Sequence, residues 1–331
     1  MNARNDHSIG TMGSSANDHT FFAVNAVLVN AYKHGSFSEV SIGFERIGYS
    51  EELNDVGGLG KLSQSVAVMN PAIRQLSYTG INEQWGLYIQ SASTLTTEIE
   101  TEYWEVGDFG RVQQNAFKTK ANELGLKLSY HQTPQLQWLV GGRFYTNSFT
   151  RSNFKFVQPG AAKFDQALMD LPRNPGDEVP RFVLPGQNTT DGTTPQANNP
   201  DHLVPVISVT EDHMGLIALF GVRYDSQFDH HNKGPWSWFV EAEANVDLYS
   251  QTQNTQFETT TLSDYFSGYG LNAKAGVRYQ FLDNLSAMAT LDSYVKTREM
   301  LEGTLESGQR VRVPEITYSN VAVVVGLQWR Y

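Results

Sequence analysis

Charged side chains recur at even spacing along much of this 331-residue chain. Glu98, Glu100 and Glu102 form one set, Glu241, Glu243 and Asp247 a second, Lys274 and Arg278 a third, Asp292 and Lys296 a fourth. An extended strand turns alternate side chains to one face, so even spacing collects charge on one side of a sheet. Joined by Glu123, Lys127, Arg143, Arg223 and Arg330, these residues are the candidate lining of a passage that sorts solutes by charge. The same residues in a narrow enclosure would pair and fill it, because about eight strands leave room only for side chains. The spacing leaves both readings open. Carboxylate–imidazole couples that could activate water occur at Asp201–His202 and Asp212–His213. Adjacent residues on an extended chain point opposite ways, which counts against both. His230 and His231 beside Asp229 fit no zinc spacing. Gly57, Gly58 and Gly60 lack the Lys-Ser/Thr of a phosphate loop. Without cysteine there is no thiolate nucleophile and no disulfide. No catalytic residue, metal site or cofactor is therefore expected.

The elements that would position these charges are strands with one apolar face. The clearest is the last stretch, where Val321, Val323, Val325, Leu327, Trp329 and Tyr331 alternate with Ala322, Val324, Gly326, Gln328 and Arg330. Its apolar side ends in Trp and Tyr, residues that favour a membrane–water boundary. The same alternation runs through 84–90, 124–130, 136–147, 214–224, 236–248, 265–281 and 285–298, each time with apolar residues opposed to polar ones. Short turns (HQTPQ, DHHNKGP, LDNL) alternate with longer connections near GDFGR, at 156–211, at 251–263 and at 301–313. This rhythm predicts an antiparallel up-and-down transmembrane β-barrel of about ten strands, with both termini and the short turns periplasmic. The alternating piece at 37–49, with Val40, Ile42 and Phe44 opposed to Glu39, Ser41 and Glu45, would raise the count to twelve if it spans. The organisation expected is a loose segment 1–19, a strand at about 21–32, and one barrel domain over 20–331 with long external loops at about 34–82 and 156–211.

Composition narrows the class. With 24 basic and 35 acidic residues the formal charge is −11, which argues against nucleic acid. No apolar run is long enough for a transmembrane helix, whereas barrel strands dilute their hydropathy by alternating. MNARNDHSIG has no apolar signal-peptide core, so an exported chain is expected in mature form. The pieces QWGLYIQ, NELGLKLSYH–PQLQWLVGGRFY, MGLIALFGVRYDSQF–WSWFVEAEANVDLYSQT and GLNAKAGVRYQF–LDNLSAMATLDSY resemble, over roughly 84–300, the Legionella-type major outer-membrane pore-forming proteins. That resemblance implies a porin-like channel for small solutes or ions in the bacterial outer membrane, with no enzymatic residues to carry over. The expected partners are outer-membrane lipid and lipopolysaccharide, with homo-oligomerisation left open. The alternatives are a structural or adhesive surface barrel without an open pore, and a protease of the ten-stranded omptin type. The distribution of charges along the strands further predicts an acidic outer vestibule above a basic periplasmic constriction.

Overall fold

The computed structural model describes residues 35–54, 58–174, 179, 181–184, 208–229, 234–255, 261–304, 310–313 and 315–331, with backbone alone at 302–303 and 310–313. The expectations for 1–34, for Gly57, for Asp201–His202 and for His230–His231 lie outside these residues. The strands are β1 (Ser36–Leu53), β2 (Leu62–Gly80), β3 (Trp85–Thr94), β4 (Glu100–Val106), β5 (Gly110–His131), β6 (Leu136–Phe156), β7 (Val209–Asp225), β8 (Trp236–Asn254), β9 (Thr261–Asp264), β10 (Gly268–Leu282), β11 (Leu285–Arg298), β12 (Leu301–Thr304), β13 (Arg310–Val313) and β14 (Glu315–Arg330). One helix, α1 (Gly160–Met169), follows β6.

All strand pairs are antiparallel, and the sheet closes on itself. Its order is β1-β14-β11-β10-β8-β7-β6-β5-β3-β2, and β2 pairs back onto β1. These ten strands make the ring. Between β2 and β5, β4 takes over from β3 after a break at 95–99, and β9 extends the wall along β8. Among the described residues each of the ten ring strands is paired on both sides, as a lipid environment demands. The closing seam runs from Phe37↔Arg330 to Glu52↔Glu315. There the strands approach so closely that a Cβ on Gly43 or Gly326 would lie 2.1 Å from a carbonyl oxygen of the facing strand.

The segment expected as an external loop at 34–82 is instead β1 and β2, the two strands that complete the ring. The sequence hides β2 because its inward face mixes apolar residues with Gln64 and Asn70, while Met69 and Ile73 face outward. Val66, Val68 and Ala72 point inward, where Val66 and Val68 join Ile47, Tyr49, Phe117, Phe149 and Ile316 in an apolar interior cluster. The alternating piece at 37–49 therefore spans without raising the count to twelve.

The connections divide between two rims. At the turn rim lie the 131–136 and 282–285 turns, the start of β1 and the carboxy-terminus, where Tyr331 N–H donates to Ser36 O at 3.1 Å. At the loop rim lie the Gly107–Phe109 turn and the connections after β6, β8 and β11. Outward residues form an apolar belt in which Phe44, Phe220 and Val323 are each more than half exposed. An apolar surface that continuous marks a lipid-facing wall. Aromatic pairs border it near the turn rim: Trp85–Tyr130, Tyr224–Trp238 and Trp236–Tyr279, with ring centroids 4.8 to 5.1 Å apart. Such girdles sit at headgroup level. Among the described residues no helix is long and apolar enough to cross a membrane.

Candidate functional site

Inward residues stack in layers from the turn rim upward. The lowest is aromatic: Phe37, Tyr78, Tyr88 and Leu139 pack with Phe228, and Tyr78 Oη lies 2.9 Å from His131 Nε2. Above it, Arg278 reaches Asp225 at 3.0 Å and Glu39 at 3.1 Å, while Arg223 reaches Asp225 and Glu241 at 2.7 Å each. Both guanidiniums lie over the Phe239 ring, at 4.1 Å for Arg223 and 4.5 Å for Arg278. The next layer pairs Lys127 with Glu241 at 2.7 Å and Glu243 at 2.6 Å, and Arg143 with Glu243 at 3.0 Å and Glu123 at 3.5 Å. Arg74 then pairs with Asp292 and, at 3.6 Å, with Glu45, while Lys274 lies 3.7 Å from Asp292. Higher still, Lys296 meets Asp247 at 2.8 Å and donates to Tyr145 Oη at 2.7 Å.

Of the residues read as a passage lining, most converge inside the barrel, but as partners of one another. Lys127, Arg223 and Arg278 are each 1% exposed and Asp247 and Glu102 0%. Arg143, Glu241, Glu243, Asp292 and Lys296 are also buried, Glu123 and Lys274 are half-buried, and Arg330 lies half-buried at the turn rim. Glu98 and Glu100 are exposed, Glu98 in the break between β3 and β4 and Glu100 at the first residue of β4, so neither belongs to the packed interior. The expected basic constriction is absent among the described residues. Asp225 and Glu39 stand between the very arginines that would form it, because buried charges persist only with partners beside them.

The loop end holds a second constellation. Arg151 lies 2.8 Å from Glu51 and 2.7 Å from Glu102, with its guanidinium over Phe149 and Trp104. On the neighbouring strand β7, His213 Nε2 lies 2.9 Å from Glu211 Oε1, and its ring lies 5.4 Å from that of Phe149. Asp212 points outward and His213 inward, as alternation requires, so the couple forms two residues apart and not one. Arg298 Nη1 lies 3.2 Å and Thr252 Oγ1 2.9 Å from His213 Nδ1. A guanidinium only donates, so Nδ1 accepts and the proton sits on Nε2, facing Glu211. Over this end, α1 packs Phe164 against Val106 and Val112, and Asp165 takes 2.9 and 2.6 Å bonds from Arg181, which ties down 181–184.

Sequence reasoning missed Glu39, Glu45 and Glu51 as interior acids, although their spacing by six keeps one face of β1. It missed Arg74 because β2 was not recognised, and Glu211 because the adjacent Asp212 drew the pairing with His213. Among the described residues no cluster of three or more His, Cys, Asp or Glu could hold a metal ion.

Lipid-facing belt, closed antiparallel ring and two-rim connectivity together define a bacterial outer-membrane-type β-barrel. No protein-family model matches the chain, and no curated protein does. Among solved structures it is similar to the outer membrane protease OmpT from Escherichia coli, with a TM-score of 0.60 at 9% identity, covering 90% of this chain and 97% of that one. The translocator domain of the autotransporter NalP from Neisseria meningitidis aligns with a TM-score of 0.33 at 11% identity, covering 96% and 98%. OprG from Pseudomonas aeruginosa aligns with 0.29 at 10% identity, covering 91% and 98%.

Proposed function

We propose that this outer-membrane barrel is sealed against passive diffusion and works through its loop end, as a surface barrel embedded in outer-membrane lipid. The observation that carries the reading is the Arg223–Asp225–Arg278 layer with Glu39 and Glu241, all within 7% of complete burial inside the barrel. An ion would have to displace partnered charges in a low-dielectric interior, where each broken pair leaves a charge uncompensated. Planar-bilayer recording is the test: purified protein should insert without steady conductance. A reproducible open current from the unmodified chain would restore the porin reading.

A hydrolytic loop end is the second reading, favoured by one observation, the Glu211–His213 couple on β7 beside the Glu51–Arg151–Glu102 cluster at the same end of the barrel. A carboxylate that orients an imidazole is one half of a water-activating pair. Arg298 must leave Nδ1 before that nitrogen can take a proton. Peptide-library cleavage by the purified barrel, lost in His213→Ala, would support it. No cleavage above the His213→Ala background would remove it.

A further inference from the structure

The charge layers leave a compartment whose wall includes His213 and Arg298 and whose aromatic lining neither reading uses. Part-way up the lumen lies a cavity of about 60 Å³ walled by β1, β5, β6, β7, β11 and β14, with Tyr49, Tyr145, Tyr294 and Tyr318 around it, Ile217 and Ile316 between them, and a polar side formed by Asn122, Glu123, Asn147, His213 and Arg298. Toward the turn rim, Arg143 lies 5.4 Å over the Tyr294 ring. Toward the loop rim, Tyr49 packs on Phe117 and Phe149 with centroids 5.5 and 5.1 Å apart. At one side Lys296 Nζ stands 3.9 Å over the Tyr145 ring. Tyr294 is 7% exposed, and its hydroxyl has no hydrogen-bond partner among the described residues. Buried hydroxyls are normally paired, so this one points to a guest.

Size, polarity and charge each restrict that guest. One buried water needs roughly 10–15 Å³ of such space, so the cavity takes about four to six, the room of a single six-membered ring. Peptides, acyl chains and disaccharides are too large. Four tyrosine rings and two isoleucines offer faces for stacking, and the polar lining groups are already engaged, Asn147 with Thr119 and Tyr49, Asn122 with Ser93 and His213 with Thr252, which leaves few partners for a sugar's hydroxyls. Of the nearby cations, Lys296 has Asp247 at 2.8 Å and Arg143 has Glu243 at 3.0 Å, while Arg298 donates to Thr252 at 2.7 Å and to His213 at 3.2 Å. A carboxylate guest would stand on the same lining as the carboxylate of Glu123, and like charges at one site disfavour the ionised form. We propose that the cavity binds one small neutral aromatic alcohol, of phenol size, whose hydroxyl pairs with Tyr294 Oη.

Fluorine NMR of 4-fluorophenol titrated into the purified, detergent-solubilised barrel tests this, with benzoate and glucose as competitors. The unmodified chain should give a saturable shift that neither competitor reverses and that unlabelled phenol does. Tyr294→Phe removes one oxygen and should weaken binding about tenfold, the loss of one buried hydrogen bond. Ile217→Trp fills the cavity and should abolish the saturable shift, with a heat-modifiable band on gels showing that the barrel still closes. A shift that never saturates, one that survives Ile217→Trp, or competition by benzoate overturns the proposal. Should Ile217→Trp fail to fold, Tyr294→Phe decides alone, and unchanged affinity there overturns it.

Discussion

Asp225 shows how environment assigns different work to chemically similar residues. It is completely buried, accepts from Arg223 and Arg278, and takes the Gln227 N–H at 3.1 Å. Asp225→Asn would leave two buried guanidiniums sharing too little negative charge. The expected cost is about 3–5 kcal/mol, the usual penalty for removing one partner of a buried pair. Urea unfolding in lipid vesicles, followed by tryptophan fluorescence, measures it. Glu98→Gln and Glu100→Gln are exposed changes and should stay within about 0.5 kcal/mol in the same assay. Equal effects at Asp225 and Glu98 would mean that the interior layer is wet and its charges solvated.

At the scale of elements, the two faces of β8 and β10 impose opposite demands. Ala244 and Ala275 are exposed on the apolar belt, while Asn245 and Asn272 are buried and Asn272 donates to Glu243 at 3.2 Å. Arg at Ala244 should cost about 2–4 kcal/mol if it lies near the bilayer midplane. Arg at Asn272 should be costly too, because that side chain is buried and the cavity beside it is only about 70 Å³. Folding yield in vesicles should therefore fall for both variants, for desolvation in one and overpacking in the other. The loop-rim element α1 is held differently, through the buried carboxylate of Asp165, which also accepts from the Phe182 N–H at 2.8 Å. Its anchoring partner raises nothing in the barrel wall; it only fastens one loop segment. Asp165→Ala should free 181–184 and speed cleavage there by protease added to intact cells, with the ring strands uncut. Unchanged cleavage would mean that the apolar contacts of Phe164 and Phe182 suffice.

For the molecule as a whole, ten strands enclose enough space for charged side chains to meet in pairs across the lumen. If the seal is the Arg223–Asp225–Arg278 layer, replacing all three by Ser should leave a charge-free gap. The aromatic layer of Phe37, Tyr78 and Tyr88 remains beneath it, so the triple variant should show brief, small current steps where the unmodified chain is silent. Silence in both would assign the barrier to the aromatic layer. Steady current in both would sink the sealed-barrel reading.

By itself the sequence determined the class of fold. Period-two alternation over segments such as 236–248 and 321–331 settles which side chains share a face, since a strand has only two faces. The rhythm of short and long connections then places neighbouring strands and both rims. The interior charges at Lys127, Arg143, Arg223, Glu241, Glu243 and Arg278 were legible for the same reason. The sequence could not show that β1 and β2 close the ring. Their inner faces carry Ile47, Tyr49, Val66 and Val68, which makes β2 look unlike a lipid-spanning strand. Nor could it show whether the inward charges line water or meet one another. That depends on which residues face each other across the lumen, such as Lys127 and Glu241, 114 residues apart, or Arg278 and Glu39, 239 apart. Alternation fixes a side chain's direction within its own strand, while the distance to its partner exists only once the sheet has closed.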